Sequence, residues 1–420
     1  MHDPHDGPGT DPREARERDS DGVAVADADA QRELIDALVR IDSVNPALDP
    51  RHDGEDAIAR FVQAWAEERG LACERIEPVA GRPSLIVRVP GRAADDRAGG
   101  DGPAGADPPR SLMLNAHLDT VGTEGMEAPF AARRDGDRLI GRGTMDMKAS
   151  LAACLRVAAW AAGRNDLRGD LIVTAVADED HDSIGTRAVL DHARADMAIV
   201  TEPTDLDLHV AHRGFALLEL AFEGRASHTS QPERGVNALT HLGRALVGVE
   251  RLHAALRCGP AHPYVGHGSW QAVLARGGHE LFTTPARAEA TIERRTVPGE
   301  SAATGAEAEL RDLLHDLVAS DPEVRAELRT SVAREAFEAE EDGFAVRAVE
   351  RAATAVLHGT PRRVGAPYWT DAALLAEAGI PTVLFGPVGG GIHQPDEWVD
   401  LPSVERFEAT VRQLVLDVCR

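Results

Sequence analysis

Five short segments of this chain end in side chains able to hold a cation or move a proton. His117 and Asp119 lie in LMLNAHLDT, at the end of an apolar, strand-like run. Residues two apart on a strand point the same way, so both face one site beyond its carboxyl end. An imidazole that binds a metal through one nitrogen needs its other nitrogen held, and a nearby carboxylate can do this. Asp146, in GRGTMDMKAS, is delivered by a glycine-flanked loop just before a long apolar stretch. Asp178, Glu179 and Asp180 follow another apolar run in VTAVADEDHDSIGT. Three adjacent acids repel one another unless a cation or a partner compensates. Glu202 in IVTEPT and His393 in FGPVGGGIHQPDEWV complete the set.

Each segment alone has an ordinary explanation: a loop Asp capping a turn, a helix N-cap, a solvated acidic turn. Together they place a His or a carboxylate at five strand ends or loops that belong to the same edge of a sheet. Mixed imidazole and carboxylate ligands suit Zn, Co or Mn, and their number exceeds what one ion requires. Two divalent ions sharing a bridging carboxylate account for all of them.

The elements that must position these groups are legible as periodicities. Leu34, Ile35, Leu38 and Val39 form one face of a helix, and Ile58, Phe61, Val62 and Trp65 another, which Gly70 is placed to end. Short apolar runs at Leu85–Val89, Leu112–Leu114, Leu171–Val176, Ala198–Val200 and Thr382–Phe385 read as buried strands. Helical stretches at Ala149–Ala162 and Gly185–Ala193 lie between them. Such alternation predicts an α/β domain, a mostly parallel sheet covered by helices on both faces. From about Ala211 to Ser331 the character changes. Phe215–Glu223 and Ala286–Arg295 alternate like half-exposed strands, and Val236–Leu256 and Ala306–Val318 like amphipathic helices, which predicts an inserted, smaller α+β lid domain. The helix at Phe344–Leu357 resumes the first domain. The organisation expected is a disordered acidic tail over 1–28, a catalytic domain over 29–210 and 332–420, and the lid over 211–331. Gly91 to Pro109, rich in Gly, Ala, Asp and Pro, reads as a solvated insertion between strands.

Composition agrees with an enzyme of this kind. A chain of 420 residues, 43% of them hydrophobic, can bury one large core and a smaller one. The net charge of -25, with arginines scattered among acids, argues against nucleic-acid binding. No apolar stretch approaches membrane-spanning length, and the first residues carry acids, Pro and Gly where a signal peptide would carry a basic end and an apolar run. Cys73, Cys154, Cys258 and Cys419 show no paired spacing and read as thiols in a reducing compartment, so the cytoplasm is the expected location. Lys148 is the only lysine.

In this order, the five motifs resemble the metallopeptidase M20 family, which includes acetylornithine deacetylase, succinyl-diaminopimelate desuccinylase, aminoacylase and carboxypeptidase G2-like enzymes. The resemblance covers roughly residues 31 to 420. It implies that His117 and Glu202 bind one metal, Asp180 and His393 the other, and that Asp146 bridges them. It makes Glu179 the general base and Asp119 the carboxylate supporting His117. Two adjacent glutamates are usual where this chain has Glu179 and Asp180. His228, in EGRASHTSQPERGVNAL, matches a lid histidine that stabilises the oxyanion, and Arg295, in IERRTVPGES, a lid arginine that clamps a substrate carboxylate. A substrate-contacting Asn of many members would fall near Phe282 and is absent. The implied activity is hydrolysis of the amide bond of an N-acylated amino acid, with two divalent ions, Zn first and Co or Mn as alternatives. A dipeptidase or carboxypeptidase on the same site is the alternative, and a non-catalytic metal-binding protein a third. The partner implied is a small acylated amino acid or short peptide, and the lid is of the type that forms a homodimer.

Overall fold

The computed structural model describes residues 28–92 and 110–420. The expected acidic tail, up to residue 27, and the insertion beyond Arg92 lie outside the described residues.

Nine strands form the main sheet. Its spatial order runs Ala72–Val79, Arg82–Val89, Leu171–Val176, Leu112–His117, Met197–Val200, Thr382–Leu384, Leu208–His212 and Phe337–Glu338, with Arg363–Ala366 also paired to Leu208–His212. The four central strands, from Leu171–Val176 to Thr382–Leu384, are mutually parallel. Antiparallel neighbours flank that block on both sides, so the expected parallel sheet is the centre of a mixed one. The central strands are buried along their whole length because both faces are covered. Leu85, Leu114 and Val173 point into the larger core, shared with the helices Ala28–Val39, Asp56–Glu67, Ala149–Ala162, Phe344–Leu357 and Leu401–Cys419. Ile86, Met113 and Ile172, one residue out of phase, point into a smaller core under the helices Ile184–His192 and Ala372–Glu377.

The last long helix, Leu401–Cys419, had start signals that the apolar periodicity overshadowed. Asp400 accepts the Ser403 N–H as its cap, and a proline sits in the first turn.

The lid is a four-stranded antiparallel sheet, in the order Ser269–Gly277, Arg287–Thr296, Gly214–Glu223 and Arg325–Arg334. Two of these strands, Ser269–Gly277 and Arg325–Arg334, have almost no fully buried residue and no continuous apolar side to read. Ala216, Leu218, Leu220 and Phe222 face a separate core beneath the helices Ala238–Cys258 and Gly305–Ser320. The opposite face is charged. A third, small sheet joins Gly389–Gly390, Trp398–Asp400, Arg138–Ile140 and Arg133–Asp135. It ties the loop carrying Asp146 to the segment carrying His393.

Candidate metal centre

Because the central strands are parallel, their carboxyl ends lie along one edge. His117 is the last residue of its strand, Asp178 to Asp180 begin two residues after Val176, and Glu202 follows Val200 by two. Gly386 lies against this last turn, where a Cβ would meet the Glu202 carbonyl at 2.1 Å. Asp146 arrives from the loop before the helix Ala149–Ala162, through Gly143 at φ 77°, a left-handed conformation that glycine adopts without a Cβ clash. Glu397 holds the backbone of this loop from a distant part of the chain. Its buried carboxylate accepts the N–H groups of Gly143 (3.0 Å), Met145 (2.9 Å) and Asp146 (3.2 Å), and pairs with buried Arg142 at 2.6 Å.

The two histidines meet on Asp146. His117 Nε2 lies 2.9 Å from Asp146 Oδ1, and His393 Nε2 lies 3.0 Å from Oδ2. Glu202 Oε1 is 3.8 Å from His117 Nε2, and Asp180 Oδ1 is 3.4 Å from His393 Nε2. Two groups of ligand atoms therefore share Asp146: His117, Asp146 and Glu202, and Asp146, Asp180 and His393, each with its atoms within 4.8 Å of one another. A third grouping joins His117 with Asp119 and Asp180. Asp119 approaches the ring from the Nδ1 side, where the proton is already committed, so that grouping is the weaker metal pocket.

His117 Nδ1 donates to the main-chain carbonyl of Asp119 at 2.9 Å, while the Asp119 carboxylate stands 3.7 Å away. The proton on Nδ1 leaves the Nε2 lone pair for a cation. The Asp119 carboxylate is used differently: Oδ1 accepts the Glu179 N–H at 3.1 Å and Oδ2 the Asp180 N–H at 3.2 Å.

The electrostatics describe a site short of positive charge. Burial, then repulsion from Asp146, holds Glu202 well above the ordinary carboxylate range. Burial, then Glu202 and Asp371, does the same to Glu179. Asp119 is pushed up to about 8 by burial and by Asp180. Hydrogen bonds to Asp146 and Asp180 raise His393 to about 10. Burial opposes a charge on His117, yet the Asp146 hydrogen bond and the surrounding acids hold it protonated far above its usual value. Asp180 Oδ2 is buried with no hydrogen-bond partner. An unpartnered carboxylate oxygen among carboxylates and two imidazoles is the donor chemistry of a divalent-cation site.

Asp178, the remaining acid of the triplet, points away from this cluster. Its compensating charge is Arg82, whose Nη2 lies 2.9 Å from Asp178 Oδ1. His228 lies on the lid, its Nδ1 bonded to Ser230 Oγ at 2.7 Å, and none of its hydrogen-bond partners belongs to the cluster. Arg295 lies on the lid strand Arg287–Thr296, paired with Glu293 at 2.7 Å and stacked over Phe215. Phe282 is exposed at a loop tip, with its carbonyl accepting the Thr229 N–H, one residue from His228.

Sequence reading did not single out Asn45, Glu55, Arg82, Arg142 or Glu397, all of which hold the loops of the site. Arg142 and Glu397 lay inside segments already quoted, GRGTMDMKAS and HQPDEWV. The others are polar residues in loops or at strand starts, with no local pattern to separate them from solvated ones.

Residues 113–417 match the family described as peptidase family M20/M25/M40. The acetylornithine deacetylase of Proteus mirabilis (strain HI4320) is 28% identical over 408 residues, covering 92% of this chain and 96% of that protein. Among solved structures, the aminopeptidase PepT of Bacillus cereus ATCC 10987 superposes with a TM-score of 0.76 at 17% identity, covering 95% of this chain and 100% of that one. A dinuclear metal-binding peptidase of the M20 family from Bacillus subtilis superposes with a TM-score of 0.67 at 15% identity, covering 93% and 98%. With the matched segment running through the catalytic sheet, the lid and the cluster of His117, Asp146, Asp180, Glu202 and His393, the chain belongs to peptidase family M20/M25/M40 and is a metallohydrolase of that family.

Proposed function

We propose that this metallohydrolase removes the acyl group from an N-acylated amino acid, of the acetylornithine or succinyl-diaminopimelate kind, using two divalent ions, with zinc the first choice. The observation that carries the two-ion reading is the division of Asp146 between His117 on Oδ1 and His393 on Oδ2. In this reading His117 and Glu202 complete one pocket, Asp180 and His393 the other. The dinuclear site named for the Bacillus subtilis structure and the deacetylase name of the Proteus mirabilis relative support it. The Asp180 carboxylate reaches to 3.4 Å of His393 Nε2.

Bound divalent ions would lower the proton affinity of water held between them and polarise a carbonyl. Glu179 accepts the proton of the attacking water and returns it to the leaving amine nitrogen. Asp119 holds the turn that aims Glu179, through the N–H bonds already described. His228 supplies a donor for the tetrahedral oxyanion once the lid, or a second subunit, brings it to the site. Arg295 binds a substrate carboxylate, exchanging Glu293 for it.

A homodimer through the lid fits its exposed apolar residues. The edge strand Ser269–Gly277 exposes Val273 and Leu274, and the adjacent helix Ala238–Cys258 exposes Leu239 and Val247. A cytoplasmic location fits the four cysteines, all free thiols. No helix among the described residues is long and apolar enough to cross a membrane.

The deciding experiment is a hydrolysis screen of purified, metal-loaded protein against N-acetyl, N-succinyl and N-carbamoyl amino acids and dipeptides. Turnover of N-acyl amino acids that disappears on chelation and returns with Zn, Co or Mn supports the reading. Cleavage of dipeptides alone replaces it with a peptidase on the same site. Undiminished turnover after verified metal removal ends the two-metal mechanism.

A further inference from the structure

The turn that carries Glu179 and Asp180 is held from outside by a buried network that no ligand or base accounts for. Asp178 and Ser183, near its two ends, are both left-handed, at φ 66° and 53°. Non-glycine residues occupy that region only where the surroundings hold them there. The Asp178 N–H donates to Glu55 Oε1 at 3.1 Å, and Asp178 Oδ2 accepts the Asp182 N–H at 3.2 Å. Arg82 grips Glu55 through Nε (2.5 Å) and Nη2 (2.6 Å), and reaches Asp178 Oδ1 as well.

At the centre of this network is Asn45, which is fully buried. Its Nδ2 donates to Asp119 Oδ2 at 2.8 Å and to Asp178 Oδ1 at 2.9 Å. Its Oδ1 accepts from Arg82 Nη2 at 3.0 Å and from the Ala47 N–H at 3.0 Å. Every donor and acceptor of the amide is used, in a chain segment anchored to Thr120 by Asn45 N to Thr120 O at 2.8 Å. The two carboxylates it joins are those that fix the turn. Asp119 holds the N–H groups of Glu179 and Asp180, and Asp178 begins the turn itself. A neutral side chain with two N–H donors on one atom can bridge two carboxylates without adding charge. A carboxylate could not donate, and an ammonium could not also accept from Arg82.

We propose that Asn45 is a positioning residue for the reaction: by clamping Asp119 to Asp178 it sets the aim of Glu179 and the reach of Asp180. This rests on the reading of Glu179 as the general base. The test uses the full-length, metal-loaded chain with Asn45→Ala, Asn45→Ser and, in parallel, Glu179→Gln. For Asn45→Ala we expect two metals per chain, KM within about threefold of wild type, and kcat lower by about 10- to 100-fold, the range for lost supporting contacts at metal sites. The acidic limb of the kcat–pH profile should move upward, because Asp119, whose carboxylate holds the Glu179 N–H, loses the Asn45 donor. A residue that served only the fold would lower the active fraction and leave that limb in place. Asn45→Ser keeps one donor and should fall between wild type and Asn45→Ala in both kcat and pH limb, and it carries the test if the alanine variant does not fold. Wild-type kcat and an unmoved limb in a folded Asn45 variant overturn the proposal. If Glu179→Gln is itself fully active, the base assignment fails first. If Glu179→Gln is inactive while Asn45→Ala is unimpaired, only the role of Asn45 is lost.

Discussion

Glu397 accepts the backbone N–H of Asp146 at 3.2 Å across 251 residues of sequence. Through this bond the segment that follows His393 fixes the main chain of the residue that His393 meets. Glu397→Gln preserves the shape but weakens the bonds to Gly143, Met145 and Asp146, and metal affinity should fall by about 10- to 100-fold. Glu397→Ala also leaves Arg142 buried without its partner, which costs about 3–5 kcal/mol. Competition with a fluorescent chelator reads the first effect, and urea unfolding the second. Unchanged affinity in Glu397→Gln would show that the small sheet alone positions the loop.

Glu179→Gln should keep two metals and lose about 10²- to 10⁴-fold in turnover, the range for a general base. His117→Ala and Asp146→Ala should lose metal instead. Metal content by atomic emission, measured beside kcat, separates the two classes. If Glu179→Gln stripped the ions while Asp180→Asn retained them, the base and ligand assignments would be reversed.

Removing the imidazole in His228→Ala should leave fold and metals intact and lower kcat by about 10²- to 10³-fold, as for an oxyanion donor. If the donor acts across a dimer, mixing this variant with Glu179→Gln protein should restore some activity, because one hybrid site then holds both groups. If the lid forms the proposed homodimer, Leu274→Glu, on its exposed edge strand, should shift the protein to monomer in sedimentation. Verified mixed dimers with no recovery would place His228 in its own chain's site.

The Arg295–Glu293 pair should be broken by a substrate carboxylate. A charge-assisted hydrogen-bonded pair contributes about 1.5–3 kcal/mol, so Arg295→Ala should raise KM by roughly 10- to 100-fold with a smaller change in kcat. Glu293→Gln removes the competitor and should lower KM. Equal KM values for all three proteins would remove Arg295 from substrate binding.

Burial holds His209 and His212 at about 4, well below their ordinary value of 6.5. Both are neutral in the folded chain where the unfolded chain is already protonated. Their contribution is therefore complete above pH 6.5 and is lost as the pH falls from 6.5 to about 4. For fully buried His212 the loss is on the order of 2 kcal/mol by pH 5. Urea unfolding at pH 7.5 and pH 5 should give a smaller difference for His212→Gln than for wild type. Equal differences would mean that carboxylates alone set the acid limb of stability.

Much of this protein was determined locally. The burial of Leu112–His117, Leu171–Val176 and Met197–Val200 on both faces follows from unbroken apolar runs, and their parallel pairing puts the residues just after them on one edge. That is why His117, Glu179, Asp180 and Glu202 could be picked out in order along the chain, and why Asp146 and His393, each shortly after a glycine-containing run, stood apart from their surroundings. The outermost strand Ala72–Val79, the two exposed lid strands and the small sheet joining Arg133–Asp135 to Gly389–Gly390 lacked such runs, since most of their residues are exposed or only partly buried. Only the tertiary structure decided that Asp178 answers to Arg82 and Asn45, that the Asp119 carboxylate serves the turn while its carbonyl serves His117, and that Glu397 holds Asp146. A hydrogen bond between residues 37, 133 or 251 positions apart leaves no periodicity in either partner's neighbourhood, because its geometry exists only after the sheet has brought the segments together.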